Sequence, residues 1–592
     1  MTAPTIELTK TEEALCVLLD DACRWIQIIQ PQPDPLESGG VQVTYYQGWS
    51  LEARIAGGWV RDKLLGQDSH DLDISLSTLT GHIFALLLRS YLLSPDFAAS
   101  KLANEHGSPF HSSSTSSDHL VGHITRIAAN PEQSKNLETA TAKVAGLQLD
   151  FVNLRKEVYV GNSRIPTMTF GTAQEDAERR DITINTLFYN VHVRQVEDFT
   201  GLGLSDLKNK IIRTPLSPQQ TFLDDPLRVL RCVRFSSRFG YMVHDDIVEC
   251  FKGKEGVEIL EALRCKVSRE RFGTEVDKMM RGPNPLKAIE LMFQLSLHDV
   301  IFNPPPGSVL SGASILSSTH VLEASRLVDK LWKKARRRNE GKDEERCEID
   351  LPDNVLATLL NEDCRRLLFY NASLLHLYKV KWEEKRRKFF GADECVLSIG
   401  LKLPVHNTRK PIAEMDKAAE LLSSPTPESF SDSDPDYKGR HIQPFDKFSL
   451  SPQSTVALLI RKPCITNMDL GLSVELCLLW TYIQDSITSD LNKIGKGQYT
   501  QRPAKIYSDF YSMLQKNGLL DRVHEKILLD GKEVLKLLNI KPSKDVQIIL
   551  KRVEAWQFDR NIPDGKREEI KEECKEWLIQ EWSKGNILPH KS

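Results

Sequence analysis

In the stretch HDLDIS two acids, Asp71 and Asp73, stand one residue apart and alternate with apolar Leu72 and Ile74. On a strand, side chains alternate faces, so the two carboxylates project together, ~7 Å apart at Cα, while the leucine and isoleucine pack the other side. Such a pair can converge on a divalent cation. Mg²⁺ takes oxygen ligands and keeps water or phosphate oxygens in its remaining positions, which suits a site with few protein carboxylates. Asp150, in LQLDFVNL, has the same apolar flanks and could join from a neighbouring strand. Two ions ~3.5–4 Å apart would activate an attacking hydroxyl and steady a pyrophosphate leaving group. Acids alternating on a solvated sheet face are the plainer alternative, which D-x-D alone does not exclude.

Upstream, Gly57 and Gly58 follow the strand-like LEARIA and precede WVRDKLL, a helical pattern that includes Arg61. Glycine there lets backbone N–H groups turn toward an anion, and the start of a helix adds to that attraction; a tightly packed strand–turn–helix is the alternative. In ERRDITINTLFYN (178–190), Arg179 and Arg180 suit triphosphate oxygens, because a guanidinium binds them bidentately. Helical spacing would put Asp181 and Asn185 on one face, where an acceptor and an amide bracket a ribose. An ordinary Arg–Asp surface ion pair, worth little, reads the same residues equally well.

DDPLRVLRCVRFSSRFG (224–240) places Pro226 at a first helical position with Asp225 as N-cap. Arg228, Arg231, Arg234 and Arg238 recur at three- and four-residue spacing, opposite Leu227, Leu230 and Val233. A charge stripe is most often a solvated helix face. Asp224 or Asp225 with Arg228 also makes a donor–acceptor pair able to read a base edge. A carboxylate accepts from the exocyclic amine of cytosine or adenine, and a guanidinium donates to their ring acceptors. Guanine and uracil offer a carbonyl where the carboxylate needs a donor, and each unpaired group costs ~1–3 kcal/mol.

The elements that must position these groups follow from the pattern of the whole chain. With 592 residues, several domains are expected. Hydrophobic residues at 40% and charged residues at 27% match a globular protein, and a net charge of −3 confines any nucleic-acid surface to local basic runs. Eleven cysteines without a C-x-x-C point away from a disulfide framework or a structural zinc, and no apolar run reaches the ~18 residues of a membrane span. The acid-rich start, with Glu7, Glu12 and Glu13, lacks transit- or signal-peptide character, so a cytoplasmic or nuclear place is expected. After a helical EEALCVLLDDACRWIQII comes a β-rich VQVTYY; strand and helix patterns then alternate to about 205, and nearly everything later reads as helix. The fold class is therefore α+β: a mixed head over 1–205, then an all-helical neck (206–290) and body (291–422), a Ser/Pro/Asp linker (423–444) and a helical tail (445–592). HGSPFHSSSTSSDH (106–119) reads as a Ser/His-rich insertion.

Together these segments resemble the tRNA nucleotidyltransferases, the CCA-adding enzymes, of the bacterial and eukaryotic class within the DNA polymerase β-like superfamily. The resemblance is close over about 55–280; SKNLETAT and DDPLRVLR are most similar to fungal members. It implies Asp71 and Asp73 as Mg²⁺ ligands, Asp150 as a third catalytic acid, Gly57 and Gly58 at the triphosphate, and Arg61 among the nucleotide-binding residues. ERRDITIN resembles the ribose-selecting motif, carrying Arg179, Arg180, Asp181 and Asn185. DDPLRVLR resembles the amino-acid template, giving Asp225 and Arg228 the base-reading role with Arg231 beside them; Asp224 stands where glutamate is usual. EDFTGLGLSDLKNKIIRTP (197–215) is similar to the hinge motif, KVSRERFGTEVDKM (266–279) to a structural neck motif, and NPEQSKNLETA (130–140) to the flexible loop that repositions the template.

The resemblance implies addition of CCA to tRNA from CTP and ATP, by a monomer that touches no membrane, with a mitochondrial pool besides. A CC-only or A-only relative, a poly(A) polymerase on the same head, and a non-catalytic tRNA-binding protein are the rival readings. RLVDKLWKKARRRNEGKDEERC (326–347) and KVKWEEKRRK (379–388) are the densest basic runs and suit salt-dependent phosphate binding, against the alternative of a solvated face. DGKEVLKLLNIKPSKDVQIILKRVEAW (530–556) resembles the family's tail, with Ser543 in place of the glycine usual after the proline.

Overall fold

The computed structural model describes residues 4–588 except 70, 106–107, 111–122, 128–138, 145, 159–166, 313, 315, 343–348, 385–387, 424–449, 463–464, 489–500, 561 and 563–564. Most of the Ser/His-rich insertion, of the loop at 130–140 and of the linker at 423–444 lies outside the described residues. The chain divides into two compact units, Met1–Val300 and Ile301–Ser592.

The first unit opens on the helix Lys10–Ile29, whose start is fixed by a capping box between Thr9 and Glu12. Leu15, Leu18, Leu19, Ala22 and Ile26 recur on one face of this helix and are buried. A seven-stranded mixed sheet follows. In chain order the strands of this region are β1 Ala53–Ala56, β2 Leu72–Leu76, β3 Thr125–Ile127, β4 Thr139–Val144, β5 Leu147–Asn153, β6 Arg155–Val158, β7 Thr167–Phe170, β8 Phe188–Asn190 and β9 Gln195–Glu197. The sheet runs β3-β4-β5-β2-β1-β8-β9, with β6 and β7 forming a separate hairpin.

Strand β2 pairs antiparallel with β1 and parallel with β5, and the parallel register sets Asp73 beside Asp150. Alternation decides the faces. Leu72, Ile74, Leu149 and Phe151 are buried while Asp73 and Asp150 stay exposed. The helix Gly81–Leu92 covers the apolar face of β4 and β5, with Phe84 packed on Phe151 at 5.4 Å between ring centroids.

VQVTYY forms no strand. The amide side chain of Gln32 takes both backbone groups of Val43, donating to its carbonyl and accepting from its N–H at 2.8 Å each. A side chain thus does locally what a partner strand would do.

Beyond the sheet the first unit is helical: Gly203–Asn209, Pro218–Asp224, Leu227–Phe239, Lys254–Lys266, Arg269–Arg281 and Pro285–Gln294. Leu227–Phe239 packs on Arg269–Arg281 and Pro285–Gln294. The expectation of an all-helical remainder fails in two places. Ile211–Ile212 (β10) pairs with Met242–Val243 (β11), and in the second unit Val309–Ser311 (β12), Lys381–Glu384 (β13) and Lys388–Gly391 (β14) form a three-stranded antiparallel sheet. KVKWEEKRRK therefore contributes strands. Trp382 lies in register between Leu310 and Phe390 and is buried, so aromatic packing across strands outweighs the helix preference of the Lys and Glu around it. The rest of the second unit is dominated by helices, among them Ser318–Asn339, Glu362–Leu374, Val474–Thr488, Asp545–Phe558 and Arg567–Ser583. On Ser318–Asn339 the buried positions include Leu327, Leu331 and Ala335.

Gly81 ties helix to sheet more tightly than any side chain would allow. A Cβ there would lie 1.9 Å from the carbonyl oxygen of Phe151 and 2.6 Å from its carbon, both backbone atoms that cannot swing aside. Gly81→Ala is expected to lift the helix from β5 and destabilise the first unit by ~1–3 kcal/mol, seen as a lowered thermal midpoint in circular dichroism.

Candidate active site

The acidic edge of the sheet is built by strand register. Asp71 precedes β2, Asp73 lies within it, and Asp150 sits beside Asp73 on β5, while Thr141 on β4 donates its hydroxyl to Asp150 at 2.6 Å. Burial of its surroundings raises the pKa of Asp73; Arg180 opposes this, and the charges of Asp150, Asp71 and Asp176 add to it. The three predicted acids are thus close enough to feel one another. Mutual repulsion of this kind is what a cation relieves. Among the described residues no group of three or more His, Cys, Asp and Glu side chains closes on a point that could hold a metal alone. An ion here would complete its shell with water or ligand oxygens, which hard divalent cations accept.

Next to this edge, β1 ends at Ala56 and the chain turns at Gly57, with φ +68°, into the helix Gly58–Leu64. A Cβ on Gly57 would lie 2.7 Å from Nη1 of Arg180, so both its backbone and its surroundings demand glycine. Its N–H donates to the carbonyl of Leu187 at 2.9 Å. The expected turning of both glycine amides toward an anion therefore fails for Gly57, whose amide is committed to closing the turn. At Gly58 the nearest atom to a Cβ would be Arg61 Nη2 at 3.6 Å, an ordinary contact.

Arg61 itself is 4% exposed. It donates to Asp62 at 2.8 Å and to the Oδ1 of Asn185, and it lies over the rings of Phe235 and Phe239 at 5.4 and 4.9 Å. Asp181 and Asn185 do come together, with Asn185 Nδ2 donating to Asp181 Oδ1 at 3.1 Å. The means differ from the helix expected: Thr183–Asn185 is a single 3₁₀ turn, because Thr183 through its N–H joins the carbonyl of Arg213 and leaves the α-helical path.

The two arginines of ERRD are held by a residue that sequence reasoning passed over. Asp176, 1% exposed, accepts from Arg179 Nε at 2.8 Å with one oxygen and from Arg180 Nη2 at 2.9 Å with the other. Arg180 then donates to the carbonyl of Asn185 at 3.1 Å and rests over Phe188. The signal was present in DAERR, whose spacings of three and four bring one acid under two arginines. Burial pushes the Asp176 carboxyl up, but Arg179 and Arg180 outweigh it and hold the group below its usual range.

The arginine stripe of 224–240 is not a solvated face along its length. The helix is Leu227–Phe239, so Pro226 is the cap residue; Asp225, one residue earlier than the position assigned from sequence relative to the helix, still accepts the N–H of Leu227 at 3.2 Å. Arg228 is buried and donates to the carbonyl of Thr221 at 3.3 Å. Arg231 donates to the buried carboxylate of Asp181 at 2.7 Å, and Arg234 pairs with buried Glu275 at 2.6 Å. Burial raises the Asp181 pKa, but Arg231 and the Asn185 amide outweigh it and keep the carboxyl below its usual range. Only Arg238 of the four is exposed. The second oxygen of Asp225 accepts from Arg271 Nη2 at 3.2 Å, on a segment read from sequence as structural, and Asp224 beside it is half-buried. The structure therefore gathers Asp225, Arg228 and Arg271 at one end of the helix and ties its middle, through Arg231, to Asp181 and Asn185.

Residues 53–213 match the family described as the poly A polymerase head domain, and 261–307 match a probable RNA and SrmB-binding site of polymerase A. The chain is 32% identical over 577 residues to the mitochondrial CCA tRNA nucleotidyltransferase of Candida glabrata, covering 96% of this chain and 95% of that protein. It is 45% identical over 303 residues to the mitochondrial CCA tRNA nucleotidyltransferase of Saccharomyces cerevisiae, covering 51% of this chain and about half (49%) of that protein's length. In fold it is similar to the Bacillus stearothermophilus CCA-adding enzyme solved with CTP, at 16% identity and a TM-score of 0.50 over 98% of this chain and 99% of that one.

Asp176 and Asp181 yield a signed acid response. Each titrates in the folded protein below its unfolded value, so each contributes stability that is full above roughly pH 4 and is lost as pH falls through the lower folded value. Wild type is expected to lose stability steadily on acidification through that window. Asp176→Asn should start less stable and fall less steeply, in denaturant melts recorded at stepped pH.

Proposed function

Because the chain belongs to the CCA tRNA nucleotidyltransferase family, we propose that it adds the 3′-terminal CCA to tRNA from CTP and ATP, without a nucleic-acid template and with release of pyrophosphate. The observation that supports the mechanism is the placing of Asp71, Asp73 and Asp150 along one sheet edge, beside a glycine turn and two arginines fixed by one buried acid. The 3′-hydroxyl of the tRNA attacks the α-phosphorus in line. Asp71 and Asp73 would hold Mg²⁺, which when bound lowers the pKa of that hydroxyl and offsets charge on the phosphates. Arg180 brings a fixed positive charge to the same edge, and Arg179 does so from the neighbouring position on Asp176.

Asp181 is 7% exposed and accepts from Arg231, Asn185 and the N–H of Ile182. We assign it the orientation of Asn185 at the ribose rather than the main contact. Asp225 and Arg228 read the base, and Arg271 steers the Asp225 carboxylate from the far side. Gly58 lets the triphosphate approach the turn that Gly57 makes. The helical segments after the head hold the tRNA through basic side chains. The protein acts as a monomer. With both fungal relatives named as mitochondrial, we place a mitochondrial pool beside a cytoplasmic or nuclear one; no described helix is long and apolar enough to cross a membrane.

The test offers tRNAs ending at the discriminator base, at C and at CC, with CTP and ATP singly and together. The expected result is two C from CTP, one A on the CC-ended tRNA from ATP, and then arrest. Arrest after CC, addition of A alone, or an endless A tail would each replace this reading with the matching rival. Asp73→Ala should abolish incorporation while circular dichroism shows an unchanged fold; turnover near the wild-type rate would remove Asp73 from the chemistry. Asp225→Ala should relax base choice by up to about tenfold, read as GTP or UTP incorporated, with Arg271→Ala a weaker copy of the same effect.

A further inference from the structure

Glu12 belongs to none of these groups, yet its side chain is only 8% exposed and both its oxygens are engaged. One oxygen accepts the indole N–H of Trp59 at 3.1 Å. The other accepts the N–H of Thr9 at 2.8 Å, closing the capping box of its own helix, and pairs with Nζ of Lys63 at 2.9 Å. Trp59 is 1% exposed, and the side chain of Lys63 is 9% exposed. Trp59 and Lys63 stand four apart on Gly58–Leu64, so one carboxylate grips a single face of that short helix at two points.

The same helix is gripped again through Arg61, which reaches Asn185 and lies over Phe235 and Phe239. Two sets of polar contacts thus meet on this helix: Glu12 to Trp59 and Lys63 on one side, and on the other Arg61 to Asn185, Asn185 to Asp181, and Asp181 to Arg231. A helix of two turns has little stability of its own, so its depth and rotation are set by what holds it. Packing alone would be met by an apolar residue. Burying a carboxylate against a lysine instead costs desolvation and returns a directional contact.

We propose that Glu12 is a positioning residue for the nucleotide site: by fixing Gly58–Leu64 it sets the Gly57 turn and the Arg61–Asn185 contact on which the bound nucleotide is aligned. This rests on the reading of that site as the nucleotide site. Glu12 touches no reacting atom. Its effect passes through the helix, and it should weaken the binding of CTP and ATP alike, since it acts below the level at which the base is read.

The experiment uses the full chain and steady-state CTP and ATP incorporation into tRNA, with thermal unfolding measured alongside. Glu12→Gln keeps the size and one acceptor for Trp59 but leaves the charge of Lys63 with only the exposed Asp68 at 3.8 Å. The expected result is a KM raised about tenfold for both nucleotides, with kcat little changed. Adding Lys63→Met to Glu12→Gln removes the lysine charge, so the thermal midpoint should recover while KM stays raised. Recovery of KM together with stability would show a purely structural role and overturn the proposal, as would a folded Glu12→Gln with wild-type KM. Should Glu12→Gln fail to fold, Trp59→Phe removes only the indole donor. A rise in KM for both nucleotides then supports the proposal, and an unchanged KM overturns it. Wild type run in parallel separates the two levels: absence of incorporation by wild type refutes the site reading itself, whereas normal wild-type incorporation leaves the variants to decide on Glu12.

Discussion

A parallel register between two short strands brings like charges together, and the rest of the first unit is arranged around the consequence. With β2 beside β5, Asp73 has Asp150 as its neighbour and Asp71 one step away on the same face. Burial of its surroundings is the main reason Asp73 titrates high, and the charges of Asp150 and Asp71 add to it. The structure answers with a fixed cation, Arg180, that is itself neutralised on its far side by Asp176. The net result is a sheet edge where carboxylates outnumber the positive charge facing them, with the guanidinium of Arg180 close enough to Asp73 to oppose its raised pKa. A ligand that brings both a divalent cation and several anionic oxygens satisfies both halves at once.

The second constraint is that charges taken out of water must be paired, and here pairing connects elements far apart in sequence. Asp181 with Arg231 joins the segment just before a 3₁₀ turn to a helix residue 50 positions along the chain, and Arg234 with Glu275 joins that helix to Arg269–Arg281. Breaking one partner of a buried pair such as Arg234–Glu275 strands the other, at ~3–5 kcal/mol, whereas solvent reaching the 36%-exposed Arg231 lowers that cost for Asp181. Each pair therefore acts as a directional fastener as well as an electrostatic contact. Their alignment along one helix explains why four arginines can recur at helical spacing with only Arg238 exposed.

Much of this was legible before any coordinates. The α+β class, the alternation that puts Asp71 and Asp73 on one face, and the partnership of Asp150 all follow from period-two patterning and flanking apolar residues. What escaped the sequence was the identity of partners. Spacing in DAERR does offer Asp176 to Arg179 and Arg180, but nothing local says that Arg271 reaches Asp225 across 46 positions, or that Gln32 satisfies Val43 in place of a strand. The strand at 381–384 was hidden for a related reason. Its Lys and Glu residues favour helix weakly, by tenths of a kcal/mol each, whereas Trp382 between Leu310 and Phe390 gains more from cross-strand packing, a gain visible only when the other two strands are known.

The arrangement at the start of Leu227–Phe239 meets the physical requirement of the proposed base-reading pair, in which side chains alone would select a base. A carboxylate that rotates freely accepts from whatever donor approaches, and discrimination requires that it refuse a carbonyl. Asp225 is restrained at both oxygens, by the N–H of Leu227 on one and by Arg271 on the other. Its remaining lone pairs therefore point in directions fixed by the backbone and by a neighbouring helix. Arg228 is restrained too, buried and bonded to the carbonyl of Thr221. Two groups so held present one acceptor and one donor at a set spacing, and a base with the opposite order leaves both unpaired at ~1–3 kcal/mol each. Had either been a mobile surface side chain, it would have turned to water instead and the penalty would vanish. Selectivity of the proposed pair would thus rest on restraint: burial and the Thr221 carbonyl for Arg228, and for Asp225, whose side chain is 28% exposed, the contacts to Leu227 and Arg271.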